Sequence, residues 1–211
     1  MLIVWAMVPA SGRLDDAPPI VALVCSAGGF DALTHVLAPL PRDFPAAVVV
    51  LQHQRPDRET SLLSPLLARR TRLPVRDARN GDPLVPGTVL VVPPGTHVLA
   101  TPEHTLALIA SDGPLPYRPS ADLLLSTLAV TAGPRVIAVV LSGRGHDGAD
   151  GAVAVHDFGG TVIATDRASS EHFAMPAAAI GRDDAVDEVL PVDAIPAALL
   201  ARLTPAAQPP A

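Results

Sequence analysis

"VIAVVLSGRGHDGADGAVAV", residues 136–155, is an apolar run that breaks into a glycine-rich loop and resumes as a small-residue helical pattern. The run is continuously apolar rather than alternating, as a strand buried on both faces of a parallel sheet requires. Gly143, Gly145 and Gly148 spell G-x-G-x-x-G at the strand-to-helix turn, the spacing of a dinucleotide-binding loop. His146 and Asp147 fill its middle, however, and a carboxylate there repels a pyrophosphate. The loop therefore reads either as a phosphate cradle or as the carrier of a catalytic carboxylate.

The same strand-then-helix unit recurs along the chain. Apolar, β-branched runs predict strands at 20–25, 47–52, 74–77, 88–92, 136–141, 161–165 and 186–190. Helical patterns fall at 28–38, 60–70, 120–132, 149–158, 175–181 and 193–203. This alternation predicts a doubly wound α/β fold. The stretch "HVLATPEHTLALIA" (97–110) differs: two short apolar runs flank Thr101-Pro102-Glu103, the pattern of an inserted β-hairpin.

The 211 residues suit one domain, or two small ones, and the 49% hydrophobic content excludes overall disorder. Aromatic residues make up 3% and the net charge is −6, which argues against a nucleic-acid surface. The single cysteine, Cys25, excludes an intramolecular disulfide framework and a Cys-based zinc site, and permits a reducing cytoplasm. The remaining histidines show no ligand spacing, so neither metal nor cofactor is expected. The N-terminal "MLIVWAMVPASG" is apolar but lacks a basic segment and is shorter than the ~18–20 residues of a membrane span. Residues 1–18 read as a disordered leader and 204–211 as a disordered tail, with no membrane insertion expected.

In doubly wound sheets, chemistry gathers where strands end and loops begin. Ser26, Gly28 and Gly29 follow the first strand, Gln52 and His53 the second, and Ser142, Arg144, His146 and Asp147 the 136–141 strand. A serine, a histidine and an aspartate on one edge suit a hydrolase: the histidine takes the serine's proton and the carboxylate orients the histidine. The segment is not a G-x-S-x-G elbow, because Val24 stands two residues before Ser26. Against this stands the dinucleotide reading, supported by Asp166 about 20 residues beyond the glycine loop. Each residue also has a plainer use: Ser26 as a helix cap, His53 at a strand end, Asp147 in a turn. The residues alone leave these alternatives open.

Taken together, "VCSAGG", "LQHQRP" and "LSGRGHDGADG", in this order, resemble the nucleophile, histidine and aspartate segments of chemotaxis protein-glutamate methylesterases, the CheB family. "VPGTVLVVPPGTHV", "YRPSADLLLSTLA" and "ASSEHFAMPAAAI" add to the resemblance, which covers residues 19–203. It implies a three-layer α/β/α domain with a mainly parallel sheet. It also implies a serine hydrolase that cleaves glutamyl methyl esters on methylated chemoreceptors, and deamidates receptor glutamines, in the cytoplasm. Ser26 takes the place of the nucleophile, His53 of the general base and acid, and Asp147 of the orienting carboxylate. The backbone amides of Ala27 and Arg144 take the place of the oxyanion hole, and Arg118 and Ser120 are candidates for the cleft wall. The family's glycine two before the serine is Val24 here, its threonine after the serine is Ala27, and its T-G-M-G methionine is Arg144. The sequence as given carries no receiver domain, so the resemblance implies constitutive activity or control by a separate regulatory protein. A serine esterase or amidase on another substrate, and a non-catalytic CheB-like regulatory domain, are the competing expectations.

Overall fold

The computed structural model describes residues 17–53, 62–110 and 119–203. The elements in chain order are β1 (Ile20–Cys25), α1 (Gly29–Leu37), β2 (Ala47–Gln52), α2 (Leu63–Ala68), β3 (Val75–Asp77), β4 (Asp82–Pro83), β5 (Val89–Val91), β6 (Thr96–Ala100) and β7 (Thr105–Ala110). There follow α3 (Ala121–Ala132), β8 (Val136–Val140), α4 (Ala149–Asp157), β9 (Thr161–Thr165), α5 (Ala174–Ile180), β10 (Glu188–Leu190) and α6 (Ile195–Leu203). Among the described residues, no helix is long and apolar enough to cross a membrane.

Seven strands form one sheet in the order β10-β9-β8-β1-β2-β5-β3, and every pairing in it is parallel. Alternate residues of each central strand feed two separate cores. Ile20, Ala22, Val24, Val136, Ala138 and Val140 pack on the face covered by α3, α4 and α5. Val21, Leu23, Cys25, Ile137, Val139 and Leu141 pack on the face covered by α1, α2 and α6. Burial on both faces is why the strands read as unbroken apolar runs, and each fully buried Val or Leu contributes about 1.5–3 kcal/mol.

The expected hairpin is β6–β7, and it gains a third, antiparallel strand from β4. The two residues of β4, one a proline, are too short to leave a periodic signal in the sequence. Residues 17 and 18 of the expected leader are described, and the Pro18 carbonyl accepts a bond from Arg135 Nη1 (3.1 Å). The remainder of that leader, the tail and Arg118 lie outside the described residues.

Chain order runs outward from β1 to β2 on one side, then returns to place β8 on the other. The β1/β8 boundary is thus the topological switch point, where open α/β sheets form their crevice. The loops carrying Ser26, His53 and Asp147 leave β1, β2 and β8, which are neighbours in the sheet.

Candidate active site

Ser26 is the first residue beyond β1, and two backbone bonds fix it there. Its amide donates to the Ser142 carbonyl (3.0 Å), and its own carbonyl accepts from the Gly29 amide (3.0 Å). Gln52 Nε2 adds a third bond to the Ser26 carbonyl (3.2 Å). Ser26 is not the cap of α1. That position belongs to Gly28, which has a left-handed φ of 74° and makes no side-chain capping bond. Glycine is needed there on two counts: the positive φ, and a Cβ that would lie 2.7 Å from Ser142 Oγ. Gly143 is needed for space, since its Cβ would lie 2.6 Å from Met175 Sδ and 3.0 Å from Ser26 Cβ.

His53 follows β2 and is tied to the first turn by its amide, which donates to the Cys25 carbonyl (3.0 Å). Its Nε2 lies 2.7 Å from Asp147 Oδ2, and both side chains are largely buried, 10% and 2% exposed. An ionised carboxylate only accepts hydrogen bonds, so the proton on this pair sits on Nε2. The carboxylate thus meets Nε2 of the ring, the reverse of the attachment in chymotrypsin-type triads, where it meets Nδ1.

Asp147 is held by the start of α3. Oδ2 also accepts from the Ala121 amide (2.6 Å), while Oδ1 accepts from Ser120 Oγ (3.0 Å) and the Asp122 amide (3.0 Å). Burial pushes its pKa up, but the bonds from His53 and from the Ala121 and Asp122 amides outweigh it and lower the pKa from 3.8 to about 2. The positive end of the α3 dipole favours the same ionised form. Ser120 caps α3, its Oγ accepting from the Leu123 amide (3.3 Å), and so stands behind Asp147 rather than on the cleft wall. The Ser120 amide in turn donates to Nδ1 of buried His97 (3.2 Å).

Asp122 returns the arrangement. Its Oδ1 accepts from the Gly148 and Gly151 amides at the start of α4, each at 2.8 Å. Two aspartates are thus exchanged between the N-termini of two packed helices. Gly151 permits the close approach, since a Cβ there would lie 2.6 Å from Leu125 Cβ. Burial, and next the nearby Asp147 carboxylate, raise the Asp122 pKa from 3.8 to about 6, against the lowering effect of the Gly151 and Gly148 amides. The arrangement also answers the dinucleotide reading: the amides that a pyrophosphate needs at α4 are occupied by Asp122. The supposed ribose ligand, Asp166, accepts instead from the amide (2.9 Å) and Oγ (2.6 Å) of Ser169.

Ser26, Ala27, Gly28, Gln52, His53 and Arg144 line a cleft of about 520 Å³, with Phe30 and Asp31 at its side. Among the described residues the backbone amides of Ala27 and Arg144 meet no protein acceptor, and the Arg144 side chain is exposed and has no ion-pair partner. Val24 lies in regular strand, paired with Leu51 and Val140 and without positive φ, so its replacement of a glycine introduces no backbone strain. Burial pushes the Cys25 thiol far above its ordinary range, which leaves it protonated and unsuited to act as a nucleophile. Among the described residues no three His, Cys, Asp or Glu side chains gather in a metal-binding arrangement.

Sequence reading gave no role to Asp122 or Ser142. The available signal for Asp122 was an acidic residue two positions after a serine at a helix start.

The CheB methylesterase family model matches residues 21–199. The chain is 41% identical over 195 residues to protein-glutamate methylesterase FrzG of Myxococcus xanthus, covering 91% of this chain and 58% of that protein. It is 43% identical over 194 residues to protein-glutamate methylesterase/protein-glutamine glutaminase 2 of Anaeromyxobacter dehalogenans, covering 89% and 56%. The chain thus spans a little over half the length of these curated relatives. The crystal structure of the Thermotoga maritima CheB methylesterase catalytic domain superposes with a TM-score of 0.82 at 35% identity, covering 88% of this chain and 99% of that one.

Proposed function

The chain belongs to the CheB methylesterase family, and on that premise we propose that it is a protein-glutamate methylesterase using Ser26, His53 and Asp147. The observation that carries this reading is the 2.7 Å bond between His53 Nε2 and Asp147 Oδ2 at the edge of the cleft that Ser26 lines.

In this mechanism Ser26 Oγ attacks the side-chain ester carbonyl of a methylated glutamate while His53 Nδ1 takes the hydroxyl proton. Asp147 stabilises the resulting imidazolium through its bond to His53 and, held by three further bonds at the start of α3, keeps the ring from turning. The tetrahedral oxyanion sits against the Ala27 and Arg144 amides, each worth roughly 3–4 kcal/mol when well placed. His53 returns the proton to the departing methoxide, which leaves as methanol. Water then attacks the acyl-enzyme with His53 again as base, and Ser26 departs from a free glutamate carboxylate. The same steps applied to a glutamine amide release ammonia, the second activity in the name of the Anaeromyxobacter relative.

The substrate in this reading is a methylated chemoreceptor. Arg144 faces the cleft with a cation, which suits a glutamyl ester surrounded by other acidic side chains. Arg144 is also the one observation that favours a second reading, a serine esterase acting on a different carboxylate-bearing ester. Incubating methyl-labelled receptor with wild type and with Ser26→Ala tests the proposal. Methanol release by wild type alone is expected. No release from receptor, with turnover of unrelated anionic esters, supports the second reading.

A further inference from the structure

We propose that the buried Ser142 hydroxyl is a positioning residue that holds the two backbone donors of the oxyanion pocket in register. The inference rests on the serine-hydrolase reading above and concerns how its donor pair is built.

The amides in question lie on different loops. The peptide plane carrying the Ala27 amide is fixed at its carbonyl end, where Ser26 O accepts from Gly29 N (3.0 Å) and Gln52 Nε2 (3.2 Å). The plane carrying the Arg144 amide is fixed in the same way, by Met175 N donating to Gly143 O (3.0 Å). These bonds orient each donor within its own loop. What sets one loop against the other is Ser142. Its carbonyl accepts from Ser26 N (3.0 Å), and its hydroxyl donates to Ala27 O (2.9 Å).

The hydroxyl has one proton and spends it on Ala27. It therefore accepts from the His172 amide (3.0 Å), while its 3.4 Å approach to the His172 carbonyl is the weaker alternative. That carbonyl accepts in turn from Gly143 N (2.8 Å). One side chain, 2% exposed, thus joins the β1 turn, the β8 turn and the segment before α5. The site has little slack, because a Cβ on Gly28 would come within 2.7 Å of Ser142 Oγ.

Removing the hydroxyl takes away the partner that Ala27 O and His172 N share at this half-buried junction, and the loops relax apart. Donor misplacement of a fraction of an ångström weakens transition-state binding and leaves substrate binding intact.

The test combines steady-state kinetics on a glutamyl methyl ester peptide with the rate at which a fluorophosphonate labels Ser26. Ser142→Ala is expected to lower kcat about 10- to 100-fold with KM within 2-fold of wild type, and to slow labelling by the same factor. Its preference for the oxoester over the matching thionoester falls as well, since sulfur accepts hydrogen bonds poorly. Ser142→Thr keeps the hydroxyl and is expected within about 3-fold of wild type. Should Ser142→Ala fold poorly, Ser142→Cys carries the same prediction, because a thiol is a weak donor.

Unchanged labelling in Ser142→Ala, or a folded Ser142→Thr as slow as Ser142→Ala, overturns the inference. A wild type that labels at Ser26 but releases no methanol contradicts the substrate reading, and the labelling comparison still decides the role of Ser142. A wild type that does not label overturns both.

Discussion

The turns after β1 and β8 each enter a helix through a left-handed glycine, Gly28 (φ 74°) and Gly148 (φ 99°), yet they use their amides differently. At α4 the Gly148 and Gly151 amides close on Asp122. At α1 no side chain caps the helix, and the Ala27 amide has no acceptor among the described residues. The turn that spells a phosphate-binding fingerprint is filled by the protein's own carboxylate, and the plainer turn faces the cleft. A glycine spacing records where the backbone bends tightly; it does not record what the exposed amides bind.

Removing the proposed nucleophile breaks this contrast most severely. Ser26→Ala is expected to lower methyl-ester hydrolysis by about 10⁴-fold or more, measured as methanol release, with the melting temperature little changed. Loss of the partner on the β8 turn comes next. Asp147→Asn keeps the size of the side chain but replaces one acceptor oxygen by an NH₂ group. A fall in kcat of about 10³–10⁴-fold is expected, with a loss of about 1–2 kcal/mol in a urea melt from the weakened α3 cap.

Arg144 sharpens the comparison from the substrate side. Arg144→Met retains the backbone amide and removes the charge. KM for esters flanked by acidic residues should rise about 2- to 5-fold, with kcat unchanged and neutral esters unaffected. An equal effect on both classes of ester would show that the guanidinium does not read charge.

The smallest effect lies at the filled turn. Asp122 has a folded pKa of about 6, above its ordinary 3.8. The folded state therefore favours the protonated form. From this group stability falls as pH rises through about 4 to 6, and the penalty is fully present above 6. Asp122→Asn keeps an acceptor for the Gly148 and Gly151 amides and lacks this titration. Its melting temperature relative to wild type should be higher at pH 8 than at pH 4. Asp147, lowered to about 2, works in the opposite sense: its contribution is present above 3.8 and is lost only as pH falls through about 2.

The central strands were legible because burial on both faces leaves an unbroken apolar run, as in "IVALVC" and "VIAVVL". The hairpin was legible from its turn residues, whereas β4 was too short to register. Ser26, His53 and Asp147 could be singled out because each stands just beyond a strand, and the cleft lies at that edge. Asp122 and Ser142 were silent because their roles depend on contacts distant in sequence: residue 122 with 148 and 151, and residue 142 with 27 and 172. Neither local segment encodes such a partner. Val24 stands where the resembled family has a glycine and is an ordinary strand residue in the fold, since it sits before the bend and not in it.

Mass-mapping of a fluorophosphonate adduct tests most directly whether the β1 turn is the reactive one. A single adduct on Ser26 is expected, formed at least about 10³-fold more slowly in Asp147→Asn. An adduct on any other residue, or labelling of Ser26 at the wild-type rate in Asp147→Asn, would contradict this reading.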